Sequence, residues 1–147
     1  MVKDINDLMD GLYKDGTTSV TKEKVNILRV FLQRAFPDVN KTVINDASAL
    51  LTVYCCLVTE GKHISVNGHE LNAEGFQKLF DSYGKKAEAA FDSPKNMYDF
   101  YGSAMVVALY VYKYTNGFTN KEAIFRKNRA GDKSERIASA MWDDEIR

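Results

Sequence analysis

Proline, cysteine and histidine each occur only twice in this 147-residue chain, and neither sign of charge is in excess. Each scarcity excludes something. With so little proline and only nine glycines, long disordered linkers are not expected. The two cysteines, Cys55 and Cys56, are neighbours. Adjacent cysteines rarely bridge, because the ring is strained and the side chains diverge, so no disulfide framework is available. Buried reduced thiols in a cytoplasmic protein are the expectation. Both histidines fall in the stretch HISVNGHEL, residues 63–71, beside a turn. A haem globin needs a proximal histidine inside a helix, so haem is not expected.

Lysines plus arginines equal aspartates plus glutamates at 20 each. That balance gives no global attraction to nucleic acid or to an anionic membrane. The longest uncharged apolar stretches, residues 47–59 and 102–112, are shorter than the ~20 residues a membrane-spanning helix needs. The opening MVKDINDLMDGLYK carries acids and lacks the apolar core of a secretory leader. No glycine-rich phosphate loop, HExxH, GxSxG or CxxC motif occurs, so no enzyme, cofactor or metal is expected.

What is present is helical punctuation. The apolar fraction of 45% and charged fraction of 27% suit a soluble globular domain. A chain this long can hide roughly two-thirds of its unfolded surface. Residues 3–14 set Ile5, Leu8 and Leu12 on one helical stripe. Ser19 is placed to cap a helix over 20–36, with Val25, Leu28, Leu32, Ala35 and Phe36 inward and Pro37 as the stop. Asn40 or Thr42 can cap the next helix, which carries Val43, Ala47, Leu50, Leu51, Tyr54 and Val58 and ends at Gly61. A further helix is expected over 73–83, capped by Asn72, and a short turn or helix over 85–91. Ser93-Pro94 is a strong start for a long helix over 94–115, apolar nearly all round from Ala104 to Tyr112 and therefore central. Its length weighs against a buried strand, the alternative for MVVALYVY. Cap-like sequences at Thr119 and Asp132 open two last helices, about 120–130 and 133–145. The expected fold is mainly α: one domain over residues 1–147, a bundle of six to eight helices with one small β-hairpin near residues 62–71.

Asn67-Gly68 is the strongest short-range hairpin signal, because a type I′ turn needs two residues of positive φ. A two-residue loop there sets Val66 opposite His69, Ser65 opposite Glu70 and Ile64 opposite Leu71. Ile64, Val66, His69 and Leu71 then share one face, and His63, Ser65 and Glu70 the other. The histidines point apart and cannot share a metal. The preceding LLTVYCCLV belongs in a core, not on DNA, so the hairpin is not the wing of a winged helix. A contact arm presenting His63, Ser65 and Glu70 is the remaining functional reading.

Three other candidates follow. Between Lys121 and Arg136 six basic residues stand against three acidic ones. Arg126, Lys127, Arg129, Lys133 and Arg136 could grip a phosphate backbone, since the arginine fork of donors is rigid and always charged. Glu122 four before Arg126 and Asp132 four before Arg136 equally fit a solvated helix face with internal ion pairs. A nucleophilic Cys55 or Cys56 would need exposure and a base, and a Glu70–Glu74 carboxylate pair would need a partner at the same site. The sole tryptophan, Trp142, is either a core tether or an interface anchor. The expected function is non-enzymatic binding or assembly through protein–protein contacts, in an oligomer. The alternative is a nucleic-acid-binding coat or nucleoprotein-like module built on the basic C-terminal helices.

Overall fold

The structure is a computed structural model that describes residues 5–16, 18–58, 60–62, 65–66, 69–70, 74, 78, 90–115 and 117–118. Four helices stand among these residues: α1 (Ile5–Asp15), α2 (Lys22–Ala35), α3 (Lys41–Val53) and α4 (Pro94–Tyr114). A single π-helical turn, Tyr54–Val58, continues α3.

α3 is the hub, because it packs against α1, α2, α4 and its own π turn. Its sequence explains this. Nine consecutive or near-consecutive positions from Val43 to Val53 are buried, including Ser48 and Thr52. A buried hydroxyl must find a partner. Ser48 Oγ donates to the Ile44 carbonyl at 2.7 Å, and Thr52 Oγ1 to the Ser48 carbonyl at 2.7 Å. Each polar side chain is satisfied by its own helix, so α3 can be enclosed on most of its circumference.

α1 lays Ile5, Leu8, Met9 and Leu12 on α3, the stripe the sequence implied with Met9 added. α2 buries Ile27, Leu28, Phe31 and Leu32. It begins two residues later than expected. The cap is Thr21, whose side chain accepts from the Lys24 N–H at 3.2 Å. Ser19, the residue expected to cap, is held elsewhere by a long-range partner described below. Pro37 does stop the helix, which ends at Ala35. Asn40 caps α3 by accepting from the Thr42 N–H at 2.8 Å. Gly61 ends the run from α3 with φ +71, and the Lys62 N–H reaches back to the Leu57 carbonyl at 2.9 Å, the longer bond of a Schellman close.

α4 opens as its sequence implies, with Ser93 accepting from the Asn96 N–H at 3.1 Å and Pro94 at the first position. MVVALYVY is helix, not strand. The expectation of burial all round needs correcting. Met97, Phe100, Tyr101, Ala104, Val107, Ala108 and Val111 are buried, while Met105, Val106, Leu109 and Tyr110 are only half-buried. Among the described residues the helix packs on α2, α3 and the π turn. Phe36, Phe91 and Tyr101 gather round Phe100, with ring centroids 5.0, 5.6 and 5.3 Å from it.

The expected six to eight helices are thus four among the described residues. Helices over 85–91, 120–130 and 133–145 fall almost wholly outside them. In the 73–83 stretch only Glu74 and Lys78 are described; both are helical, and their side chains meet at 3.4 Å. Of the hairpin expected near 62–71, a two-residue antiparallel ladder is described, Ser65 opposite Glu70 and Val66 opposite His69. Ile64, Asn67, Gly68 and Leu71 lie outside the described residues.

Candidate functional site

Most residues singled out from the sequence lie outside the described part of the chain. These are Arg126, Lys127, Arg129, Lys133, Arg136, His63 and Trp142. Ser65 and Glu70 face each other across the short ladder, and Glu70 is exposed. Glu74, considered as a carboxylate partner of Glu70, makes an ion pair with Lys78 at 3.4 Å. Cys55 and Cys56 are fully buried. Desolvation, and then the neighbouring Cys56, pushes the Cys55 thiol well above its ordinary range, and desolvation raises the Cys56 thiol as well. A thiol held protonated and away from solvent is a poor nucleophile.

The described residues present three features that the sequence did not bring to notice. The first is a groove of about 730 Å³ along the N-terminal half of α4. Phe36, Val39, Phe91, Phe100 and Val106 make its apolar floor, and Asn96, Tyr98, Asp99 and Ser103 its polar rim. Tyr98 is 48% exposed, the one exposed large hydrophobic side chain among the described residues. Gly102, Ser103 and Val106 lie three, four and seven residues after Asp99 and so share one stripe of α4 with it. A Cβ built on Gly102 would meet no atom within 4 Å, so this stripe is open.

The second is a cleft of about 420 Å³ where α1, α2 and α3 meet. Ile5, Met9 and Ala49 form a buried floor. The walls are polar: Asn6, Asp10 and Tyr13 from α1, Asn26 and Arg29 from α2, Asn45 and Asp46 from α3. Tyr13, Arg29 and Asp46 are half-buried, and the three asparagines are exposed. Desolvation first, then the charge of Asp10, raises the Tyr13 phenol above its ordinary range, so it stays a hydrogen-bond donor.

The third is a polar clasp at Glu60. Tyr112 of α4 donates to Glu60 Oε1 at 2.8 Å. Ser19, just before α2, donates to Oε2 at 3.1 Å, and Lys62 Nζ lies 3.4 Å from the same oxygen. Partial desolvation opposes ionisation of Glu60. The donors outweigh it and hold the carboxyl below its ordinary range. Ser19 is fixed from its other side as well, its carbonyl accepting from Lys24 Nζ at 2.8 Å. This is why it does not cap α2.

Local spacing shows the α4 stripe of the groove, but not what faces it: each of the three features joins residues from segments far apart in the chain, beyond any helical or strand period. Compared with protein-family models, with curated proteins and with solved structures, the chain matches none.

Proposed function

We propose that this chain is a non-enzymatic binding and assembly protein that acts through protein–protein contacts and self-associates. The observation that carries the reading is the groove on α4. A groove with a floor of buried and half-buried aromatics beside an exposed tyrosine has the make-up of an interface centre, where aromatic anchors supply area at low entropic cost. The buried, protonated thiols support the non-enzymatic part. The residues 62–71 would serve as a second contact, a hairpin arm presenting His63, Ser65 and Glu70, with Trp142 as a further anchor. Among the described residues no helix is long and apolar enough to cross a membrane. A cytoplasmic setting fits the two free cysteines.

The test is sedimentation velocity over a concentration series, with wild-type chain and Tyr98→Asp. Self-association through the groove predicts a mass that rises with concentration, and a Tyr98→Asp chain that stays monomeric while its helical spectrum is unchanged. A wild-type monomer at about 100 μM, a concentration that would populate any dimer tighter than that value, sinks the reading.

A second reading rests on the six basic residues against three acidic ones between Lys121 and Arg136. There the chain would grip nucleic acid through Arg126, Lys127, Arg129, Lys133 and Arg136. Phosphate contacts make affinity fall steeply with salt, and Arg126→Ala with Arg129→Ala should flatten that slope. No binding to RNA or DNA at low salt removes this reading.

A further inference from the structure

We propose that two copies of this chain pair through α4, antiparallel about a two-fold axis at Val106, with Asp99 of each copy on Lys113 of the other. This rests on the self-association reading and adds to it the helix, its direction and its register.

α4 turns Met97, Phe100, Ala104, Val107 and Val111 to the core. A different face carries Asp99, Val106 and Lys113, which stand seven residues apart. Seven residues are close to two helical turns, so these three share one stripe. Asp99 and Lys113 are exposed and Val106 is half-buried. Gly102 and Ser103 precede Val106 by four and three residues, and Leu109 and Tyr110 follow it by three and four. Gly102 is exposed and the other three are half-buried, so the stripe is open to a partner along its length.

The charges on this stripe are complementary to those of a second copy. A two-fold axis through Val106 brings a residue seven before it level with the residue seven after it on the other helix. Asp99 and Lys113 then meet reciprocally, as two opposite-charge pairs. Within one helix they are about 21 Å apart and cannot pair with each other. Neither makes an ion pair with another of the described residues of its own chain. A parallel arrangement would set Asp99 beside Asp99 and Lys113 beside Lys113, so the charges select the antiparallel one. The side-chain sizes agree with the same register. Gly102 and Ser103 of one copy come level with Leu109 and Tyr110 of the other, small against large. Asp99, Gly102, Ser103 and Val106 line the α4 groove, and a Cβ built on Gly102 meets no atom within 4 Å. Leu109 and Tyr110 of the other copy enter the groove there, once on each side of the axis. Exposed charge pairs are individually weak, so they set direction and register while the apolar groove supplies the area.

The experiment is sedimentation velocity on the full chain with Asp99→Lys and Lys113→Asp, alone, combined in one chain, and as an equal mixture of the two single variants. Both sites are exposed, so the fold tolerates each change. Each single variant sets like charges together at both ends and should weaken self-association by about tenfold. The doubly changed chain and the mixture restore opposite charges and should return close to wild type. Register is read separately by mild oxidation. Val106→Cys, at the axis, should form a disulfide between copies. Asp99→Cys should not, because its two copies lie about 21 Å apart along the helices. The native cysteines are enclosed and do not interfere. A self-associating wild type whose single variants are unchanged, or whose mixture is not restored, overturns this pairing and leaves the self-association reading in place. So does Asp99→Cys crosslinking as readily as Val106→Cys. A wild type that stays monomeric removes both.

Discussion

The phenol of Tyr112 donates a 2.8 Å hydrogen bond to Glu60, a residue 52 positions earlier in the chain. Glu60 also accepts from Ser19, 41 positions before it. One carboxylate thus ties the end of α4, the close of the π turn and the lead-in to α2. Because the carboxylate is partly solvated, water competes for it and the clasp is worth less than its short distances suggest. Tyr112→Phe should lower unfolding stability by about 0.5–1.5 kcal/mol, the net value of a single intramolecular hydrogen bond. Urea unfolding followed by far-ultraviolet circular dichroism measures it. An unchanged midpoint would show that solvent replaces the phenol without loss.

The pH dependence of the same clasp has a definite sign. Glu60 is held below its ordinary range in the folded chain. The unfolded state therefore takes up a proton first, near the ordinary glutamate value of about 4.3. The clasp's contribution is complete above that value and is lost as pH falls through the lower folded value. Wild type should lose more stability than Glu60→Gln between about pH 5 and pH 3. Parallel stability curves for the two chains would contradict this.

Cys55 and Cys56 should resist labelling in the native chain. Both are fully enclosed, and burial disfavours the thiolate that would react. A disulfide-exchange reagent at neutral pH should label neither thiol in buffer and both in denaturant. Stoichiometric labelling of the folded protein would mean that the π turn opens readily.

Replacing Asn6, Asn26 and Asn45 together by alanine should raise stability. Each change gains a few tenths of a kcal/mol in helix propensity, for a total of about 1–2 kcal/mol. All three sites are exposed, so no cavity or unpaired buried group offsets the gain. A thermal melt reads it as a rise of a few degrees. A drop in melting temperature would mean that the carboxamides hold the three helices together.

Loss of packing in α3 should be costly by contrast. Leu50 is wholly enclosed, and Leu50→Ala should cost about 2–5 kcal/mol through lost burial and the cavity left behind. Chemical denaturation gives the value directly. A cost below 1 kcal/mol, the size of a single surface hydrogen bond, would mean that the hub of the fold is placed elsewhere.

Much of the frame was legible in the residues. The stripe Ile5, Leu8, Leu12 named the buried face of α1. Pro37 named the end of α2, and Ser93-Pro94 the start of α4. These signals act within one or two turns of helix, so a linear reading reaches them. The cap of α2 was misplaced on Ser19 because its true partner, Glu60, is 41 positions away. α4 was expected to be enclosed on all sides because hydrophobicity tells how much surface wants cover, not how much neighbours provide.

Helix type, the order of α1 to α4 and the burial of the cysteine-bearing segment were set by periodicity, capping residues and apolar runs, which are properties of short stretches of chain. The docking of the helices against α3 settled the rest. It opened the aromatic groove beside Tyr98, closed Tyr112 onto Glu60 and brought Asn6, Asn26 and Asn45 to one cleft. A ridge-into-groove packing angle places side chains from distant helices within reach of each other, and no spacing along a single helix encodes that angle.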